Sequence, residues 1–380
     1  MHREEPMIYN IIKDVIPHFF FNGVYQSGEE VHSGNINTTF HFVCADHGVP
    51  RHYLLQRVNT YVFKEPEKVM GNIARVTEHL RTRMLEDGTD PERRVLELIP
   101  TRSGALMHKD ANGGYWRAYS FVTGATAYDV VSTPELFREV GRGFGSFQRY
   151  LTDFKVEDLY VSIPDFHNTK KRFFQLVRAI DEDAAGRAKQ VDDEIEFMFE
   201  HRLMMNSIVQ KIDSGELPLR VTHNDTKSNN VMVDDATGEA ICVVDLDTVM
   251  PGSVLYDYGD AIRFGASTAA EDEPDTSKIS LDLDKTRAFT EGFIKETNGF
   301  LTETELRLLP LGIKVITCEL AMRFLTDYLD GDRYFKVNSP SHNLVRTHAQ
   351  IALLRDIEKK ESLIQDMVDN LIGQDAVREG

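Results

Sequence analysis

The sequence predicts an α+β fold of two lobes, a small one built on antiparallel strands and a larger one built on helices. Three observations carry this. The first third alternates apolar and polar positions in short runs bounded by turn residues. Beyond Thr123-Gly124 the apolar spacing becomes helical and stays so for most of the chain. One short strand-rich block, 219–247, interrupts those helices. At 380 residues the chain is long for a single domain.

In order, Ile11, Ile12, Val15, Ile16 and Phe19 recur at helical spacing and predict an N-terminal helix. "GVYQSGEEVHSGNINTTFHFVCAD" predicts two strands around a tight turn at Ser33-Gly34-Asn35. A third strand covers 51–59, a helix 67–84, and two further strands lie near 95–99 and 115–122. Thr123-Gly124 reads as a hinge, giving lobes 1–122 and 123–380. The second lobe carries amphipathic stretches at 134–151, 170–184, 192–214, Leu283–Thr297 and 302–329. The acidic run "AAEDEPDTSK" at 269–278 reads as a solvated loop. A cleft between the lobes is the natural ligand site.

Composition excludes several classes. The net charge is −18, with 41% hydrophobic and 27% charged residues. No basic face is apparent, so nucleic acid is not an expected partner. Cys44, Cys242 and Cys318 are scattered and lack CxxC spacing, which argues against zinc or a disulfide framework and for a reducing compartment. Residues 1–22 hold charges and no long apolar core. With no spanning apolar stretch either, a cytoplasmic protein without a membrane partner is expected.

The chemistry concentrates in "LRVTHNDTKSNNVMVDDATGEAICVVDLDTVMPGS". His223, Asp225 and Asn230 form H-x-D-x-x-x-x-N. Val231 to Val233 reads as a strand, Asp234 to Gly238 as a turn, and Glu239 to Val244 as a returning strand that ends on Asp245. The hairpin holds Asp225 and Asn230 at one end and brings Asp245 back to it. Phosphoryl transfer requires such a set: a carboxylate to steer the attacking hydroxyl, and an amide oxygen plus a second carboxylate for magnesium. The competing reading of the short motif is a polar turn. Asp247 either touches the metal or caps the following turn, the second reading being favoured.

With "RVTHNDTKSNNVM", "VDLDTVMPGSVLYDYGDAIRFGAST", "MRFLTDYLDGDRYF…HNLVRT", "YLLQRVN" and "GNINTTF" on the page, the chain resembles the aminoglycoside phosphotransferase and choline kinase superfamily, and within it the N-acetylhexosamine 1-kinase branch. The resemblance spans about Gly34 to Gln350. It implies a two-lobed, protein-kinase-like fold and phosphorylation of the anomeric hydroxyl of N-acetylglucosamine or N-acetylgalactosamine, with ATP as co-substrate and Mg2+ as cofactor. It also implies that Asp225 is the base, Asn230 and Asp245 the metal ligands, His223 a brace and Asp257 an anchor of the catalytic loop. Arg323 and Tyr334 would reach the sugar. The sequence departs from the pattern at Asn224, where Gly is frequent, and at Asn35. Gly34 is the one glycine of the nucleotide loop.

Arg57 stands in for the usual strand-three lysine as a clamp on phosphates, against a bland surface role; Glu65, Glu67 and Glu78 are its candidate partners. Gly34, Asn35, Asn37 and Thr38 would offer donors to phosphates, against a simple turn. Tyr119, Ser120, Phe121 and Val122 would form the connection that meets adenine, with Phe121 and Val122 at the base itself. His167, His342 and Trp116 read as structural. The rival readings are an aminoglycoside, choline or other small-molecule kinase of the same superfamily, and a pseudokinase binding module, which would be expected to have lost the base or a metal ligand.

Overall fold

The computed structural model describes residues 5–32, 36–297 and 299–378. The predicted turn at Ser33-Gly34-Asn35, with the phosphate-donor role expected of Gly34 and Asn35, lies outside the described residues.

The N-terminal part is an antiparallel sheet with a helix on each face. Helix α1 (Glu5–Ile12) leads into β1 (Val24–Val31), β2 (Thr38–Asp46) and β3 (Val49–Arg57), then α2 (Pro66–Glu86), β4 (Leu98–Ile99), β5 (His108–Lys109) and β6 (Tyr115–Ser120). The strand order is β1-β2-β3-β6-β4, with β5 also on β6. His47 and Gly48, both at positive φ (50° and 84°), close the two-residue turn between β2 and β3. The predicted helix through Phe19 stops at Ile12 and resumes as a single 3-10 turn at Ile16–His18. Pro17 sits there, and its ring cannot enter a helix interior.

Strand alternation decides what each face does. Phe40, Phe42, Tyr53, Leu55, Trp116 and Ala118 form one buried face and pack with Ile12, Val15 and Phe19. The opposite face presents Thr39, Leu54, Gln56, Arg117 and Tyr119 to the cleft, and Tyr119 packs with α2 residues such as Met70 and Ile73.

Past Gly124 (φ 65°) the short β7 (Ala125–Ala127) joins the second lobe's hairpin. Arg93 grips this connection: its guanidinium donates to the carbonyls of Thr123 (3.0 Å) and Gly124 (2.8 Å) and pairs with Asp234 at 2.9 Å. Then follow α3 (Pro134–Tyr150), α4 (Thr169–Glu182), α5 (Asp192–Glu200), α6 (Arg202–Asp213), β8 (Arg220–Thr222), β9 (Val231–Asp234), β10 (Ala240–Val243), β11 (Met250–Gly252), α7 (Val254–Gly265), α8 (Leu283–Thr297), α9 (Glu303–Arg307), α10 (Leu309–Asp330), α11 (His342–Lys359) and α12 (Glu361–Arg378). Two stretches predicted as single helices are each two. The break before α10 falls where Pro310 enters its first turn. The acidic run at 269–278 is not merely solvated: Glu271 pairs with buried Arg263 at 2.9 Å and Asp272 with His342 at 3.1 Å. Among the described residues no helix is long and apolar enough to cross a membrane.

Helices α7 and α10 cross on two glycines. A Cβ on Gly312 would run into the carbonyl of Leu255, and one on Gly259 into the backbone of Gly312. Since α7 carries Asp257, this crossing sets how deep that carboxylate lies. Gly312→Ala should destabilise the chain by about 1–3 kcal/mol through overpacking, read as a lower urea midpoint. Gly373→Ala, with nothing near its Cβ position, should leave that midpoint the same or slightly raise it.

Candidate active site

The loop after β8 is held from behind by buried groups. Asp257 on α7 accepts from the backbone N–H of His223 (2.8 Å) and of Asn224 (2.7 Å), and Gln148 donates to it at 3.0 Å. Burial pushes the Asp257 carboxyl up, while His223 and these donors oppose that. The His223 ring lies edge-on to Phe144 and Phe147. Its Nε2 meets the carbonyl of Val244 at 2.9 Å, so that nitrogen carries the proton, and Nδ1 accepts from the Asp225 N–H at 3.3 Å. The histidine thereby ties the start of the loop to the strand end that carries Asp245.

Asn224 explains its own departure from glycine. Its φ is 63°, a left-handed conformation that Gly adopts freely and Asn tolerates. Its side chain donates to the carbonyls of Thr222 (3.1 Å) and Thr248 (2.9 Å), which holds the conformation. The close approach of Gly252 leaves room for this, since a Cβ there would strike Thr222. Asp225 follows, half-buried, with its Oδ2 3.4 Å from the Asn230 amide nitrogen.

Hairpin β9–β10 runs in register with Val243 opposite Val231, and so brings Asp245 beside Asn230. Asn230 donates its amide nitrogen to the Asp225 carbonyl at 2.7 Å, which leaves its amide oxygen free. Asp245 also holds a left-handed backbone (φ 58°, ψ 59°). Its carboxylate is open to water at the cleft but deep between the lobes, and it has no hydrogen-bond partner among the described residues. That depth, and then the charges of Asp247 and Asp225, push its carboxyl up to about 6. An accessible, unpartnered carboxylate crowded by negative charge, next to a free amide oxygen, suits a magnesium ion that keeps several waters. The donor set fits that ion.

Asp247 neither faces a metal nor caps a turn. It forms a buried, two-pronged ion pair with Arg117 of β6, Nη1 on Oδ1 and Nη2 on Oδ2 at 2.9 Å. Asn37 donates to the same Oδ2 at 2.7 Å. Burial works against the Arg117 charge, and Asp247 beside it more than offsets that. Arg57 requires correction as the cleft's cation. It shares the outer face with Leu55, lies 6.0 Å from the Trp116 ring, and sits near Asp110. The cleft face of β3 carries Gln56 instead, which accepts from Arg117 Nε at 3.0 Å. None of Glu65, Glu67 and Glu78 pairs with either arginine; α2 offers Arg117 the Met70 sulfur, at 3.8 Å. Thr38 likewise falls on the outer face, and Thr39 lines the cleft. The Asn37 amide is used within the fold, accepting from the Asn59 N–H at 3.0 Å as well as donating to Asp247.

The cleft cavity measures about 270 Å3 and is lined by Leu54, Tyr119, Phe121, Val122, Met232 and Leu246, with Asn230 and Asp245 at one end. Sequence reasoning missed Lys227, which stands two residues after Asp225 inside the motif. Its Nζ is 3.0 Å from Asp225 Oδ1. Burial opposes its charge, but Asp225 and Asp260 hold it cationic. A cation inside H-x-D-x-K-x-x-N was the available signal.

Arg323 and Tyr334 meet in a separate pocket of about 130 Å3 that also contains Arg172, Asp327 and Phe335. The Arg323 guanidinium lies 5.3 to 5.8 Å from the rings of Phe166, Phe335 and Tyr334. Asp327 orders the segment above it, accepting from the N–H groups of Arg333, Tyr334 and Phe335. Burial, and then the charge of Arg323, lower the pKa of Arg172. Among the described residues neither Arg323 nor Tyr334 bonds to Asp225. The link runs through Glu319, which accepts from His167 at 3.1 Å, and His167 stacks on Tyr256 beside Asp257.

A model of the phosphotransferase enzyme family matches residues 27–291. Among solved structures, a spectinomycin phosphotransferase in complex with ADP and spectinomycin is 12% identical, with a TM-score of 0.56, over 97% of this chain and 99% of that one. An aminoglycoside phosphotransferase from Alicyclobacillus acidocaldarius is 13% identical, with a TM-score of 0.58, over 94% and 96%. A choline kinase from Cryptosporidium parvum is 12% identical, with a TM-score of 0.55, over 96% and 97%. At such identities the likeness is one of fold, the protein-kinase-like α+β architecture.

Removing one member of the Arg117–Asp247 pair strands a buried charge. Arg117→Met should therefore cost about 3–5 kcal/mol in denaturant unfolding, and the double change Arg117→Met with Asp247→Leu should recover a large part of it. A single variant as stable as the parent would show that the pair carries no such weight.

Proposed function

Because the chain belongs to the phosphotransferase enzyme family, we propose that it moves the γ-phosphoryl group of ATP to the anomeric hydroxyl of an N-acetylhexosamine. The observation that carries the reading is the meeting of Asp225, Asn230 and Asp245 at one end of the hairpin, beside a cavity. The ADP held by the spectinomycin phosphotransferase of the same fold supports a nucleotide in that cavity. The adenine would lie against Leu54, Phe121 and Val122, with its phosphates toward Asn230 and Asp245.

Asp225 orients the acceptor hydroxyl and takes its proton as the oxygen bonds to the γ-phosphorus. The bond from that phosphorus to the β–γ bridging oxygen breaks, and ADP leaves with the electron pair. The anomeric hydroxyl is more acidic than an ordinary alcohol and the transition state is loose, so a carboxylate is a sufficient base. Asn230 and Asp245 would hold the magnesium ion, which neutralises charge on the phosphates when bound. Lys227 adds a fixed cation beside Asp225, suited to the transferred oxygens. His223 and Asp257 hold the loop and touch no reactant. The lobes would divide the work near residue 122, nucleotide on one side, base and acceptor on the other.

The acceptor pocket offers groups that suit a sugar. Arg172 and Arg323 lie together in it, with Asp330 on the same wall, and the Asp327 carboxylate is committed to backbone N–H groups. The guanidiniums would donate to hydroxyl and acetamido oxygens. The rings of Tyr334 and Phe335 suit an apolar sugar face.

Asp225→Asn should leave ATP binding intact while turnover falls roughly a hundredfold or more. Phosphorus NMR of the wild-type product should show a C1 ester; a C6 ester, or faster turnover on choline or kanamycin, would reject the substrate reading and leave the kinase reading standing. Arg323→Ala should raise the sugar KM with little change in the KM for ATP, and should narrow the preference for N-acetylglucosamine over glucose, because unpaired polar groups in the site penalise the smaller analogue. Equal loss for both sugars would remove Arg323 from acetamido recognition.

A further inference from the structure

A second cavity lies behind the nucleotide cavity, of about 280 Å3 against about 270 Å3. Leu96 and Leu246 line both, so one apolar wall separates them. Both lobes close it: α2 and residues 89–96 on one side, α3 and β10 on the other. Its lining mixes apolar side chains, Leu80 and Phe147 among them, with polar ones, and its edge holds the guanidiniums of Arg94, Arg142 and Arg149, of which Arg142 donates Nη1 to Glu139 at 3.2 Å.

Arg94 is half-buried there, and its guanidinium makes no hydrogen bond or ion pair among the described residues. Arg142 Nε is buried without a hydrogen-bond partner. Glu296 stands 3.5 Å from that nitrogen and 3.4 Å from Arg149 Nε, and bridges them loosely. The exposed Glu239 completes the rim. Buried guanidinium donors ordinarily find acceptors, and donors left over beside a partly apolar volume are matched by an anion with an apolar body.

We propose that this rear cavity binds a small ring compound bearing one anionic group, and that its occupancy is coupled to nucleotide affinity. The ring packs on the apolar side chains and the anion meets Arg94 and Arg142 Nε. The coupling follows from Leu246, which stands between Asp245 and Asp247. A ligand packed against Leu246 restricts the turn that sets the Asp245 carboxylate. Coupling of this kind is reciprocal, so the ligand and Mg-ATP change each other's affinity by one factor.

The test uses the full chain, with 1-naphthoate as probe and 1-naphthalenemethanol as its uncharged analogue, by saturation-transfer NMR and calorimetry. Naphthoate should bind, and the alcohol roughly tenfold more weakly, the scale of one charge-assisted bond. Arg94→Leu should erase that difference, and Ser146→Phe, which fills the cavity, should abolish binding of both. Should the filled variant fail to fold, Arg94→Leu on the rim carries the test. Saturating naphthoate should change Mg-ATP affinity by the same factor that saturating Mg-ATP changes naphthoate affinity. Equal binding of both probes, indifference to Arg94→Leu, simple displacement of naphthoate by ATP, or the lack of any reciprocal effect would overturn the proposal.

Discussion

The buried pair between Arg117 and Asp247 is the constraint on which the site depends. Arg117 belongs to the first lobe's sheet, and Asp247 follows Asp245 by two residues in the turn after the β9–β10 hairpin. Asn37 adds the segment before β2 to the same carboxylate. One side chain thus fixes the sheet, the hairpin and the edge of the nucleotide loop relative to one another. It also settles which aspartate is free. With both oxygens of Asp247 occupied, Asp245 is the carboxylate left facing the cleft. An isolated buried pair is poor evidence for stability; its value here is that it spends one carboxylate and exposes the other.

Preorganisation around the hairpin has a backbone cost. Asn224 and Asp245 both hold left-handed conformations that side-chain-bearing residues adopt at about 1 kcal/mol or more. Neither is a glycine, because each side chain is needed: one bonds Thr222 and Thr248, the other faces the cleft. The strain persists because its surroundings over-determine it. His223 Nε2 on Val244 and the Thr248 hydroxyl on the His223 carbonyl (2.6 Å) lock the two segments from both ends. Asp225 and Asp245 are therefore held before any ligand arrives, which is what phosphoryl transfer, dominated by positioning and charge, requires.

What the sequence revealed and hid follows from range. The hairpin, with Asp225, Asn230 and Asp245, was legible because some twenty residues of local chemistry define it. Both lobes were legible from their periodicities. The errors in the first lobe share one cause. Arg57 and Thr38 lie opposite each other on neighbouring strands, facing away from the cleft, whereas Gln56 and Thr39, one residue off, face into it. A strand shows its alternation in sequence but not which side its partner lobe will cover. Arg117 was hidden for a different reason: its partner lies 130 positions away, and no local pattern marks an arginine that will be neutralised at such distance. Lys227 lies inside the local motif, but two aspartates and an asparagine complete the template without it, so the pattern requires no cation there.

The charges around Lys227 explain how a lysine sits beside Asp225 in the half-buried loop. Asp225 takes Lys227 on Oδ1 at 3.0 Å, and Asp260 adds a second negative field from α7. Asp260 is itself held by Arg263, at 2.8 Å, and Arg263 by Glu271 from the acidic loop. Signs alternate along this row, so each of its charges has an opposite neighbour. Lys227 is stabilised from two sides, and need not bind both oxygens of Asp225. Among the described residues, Oδ2 of Asp225 has the long 3.4 Å approach of Asn230. The acidic loop, which composition alone assigned to solvent, is the outer end of this row.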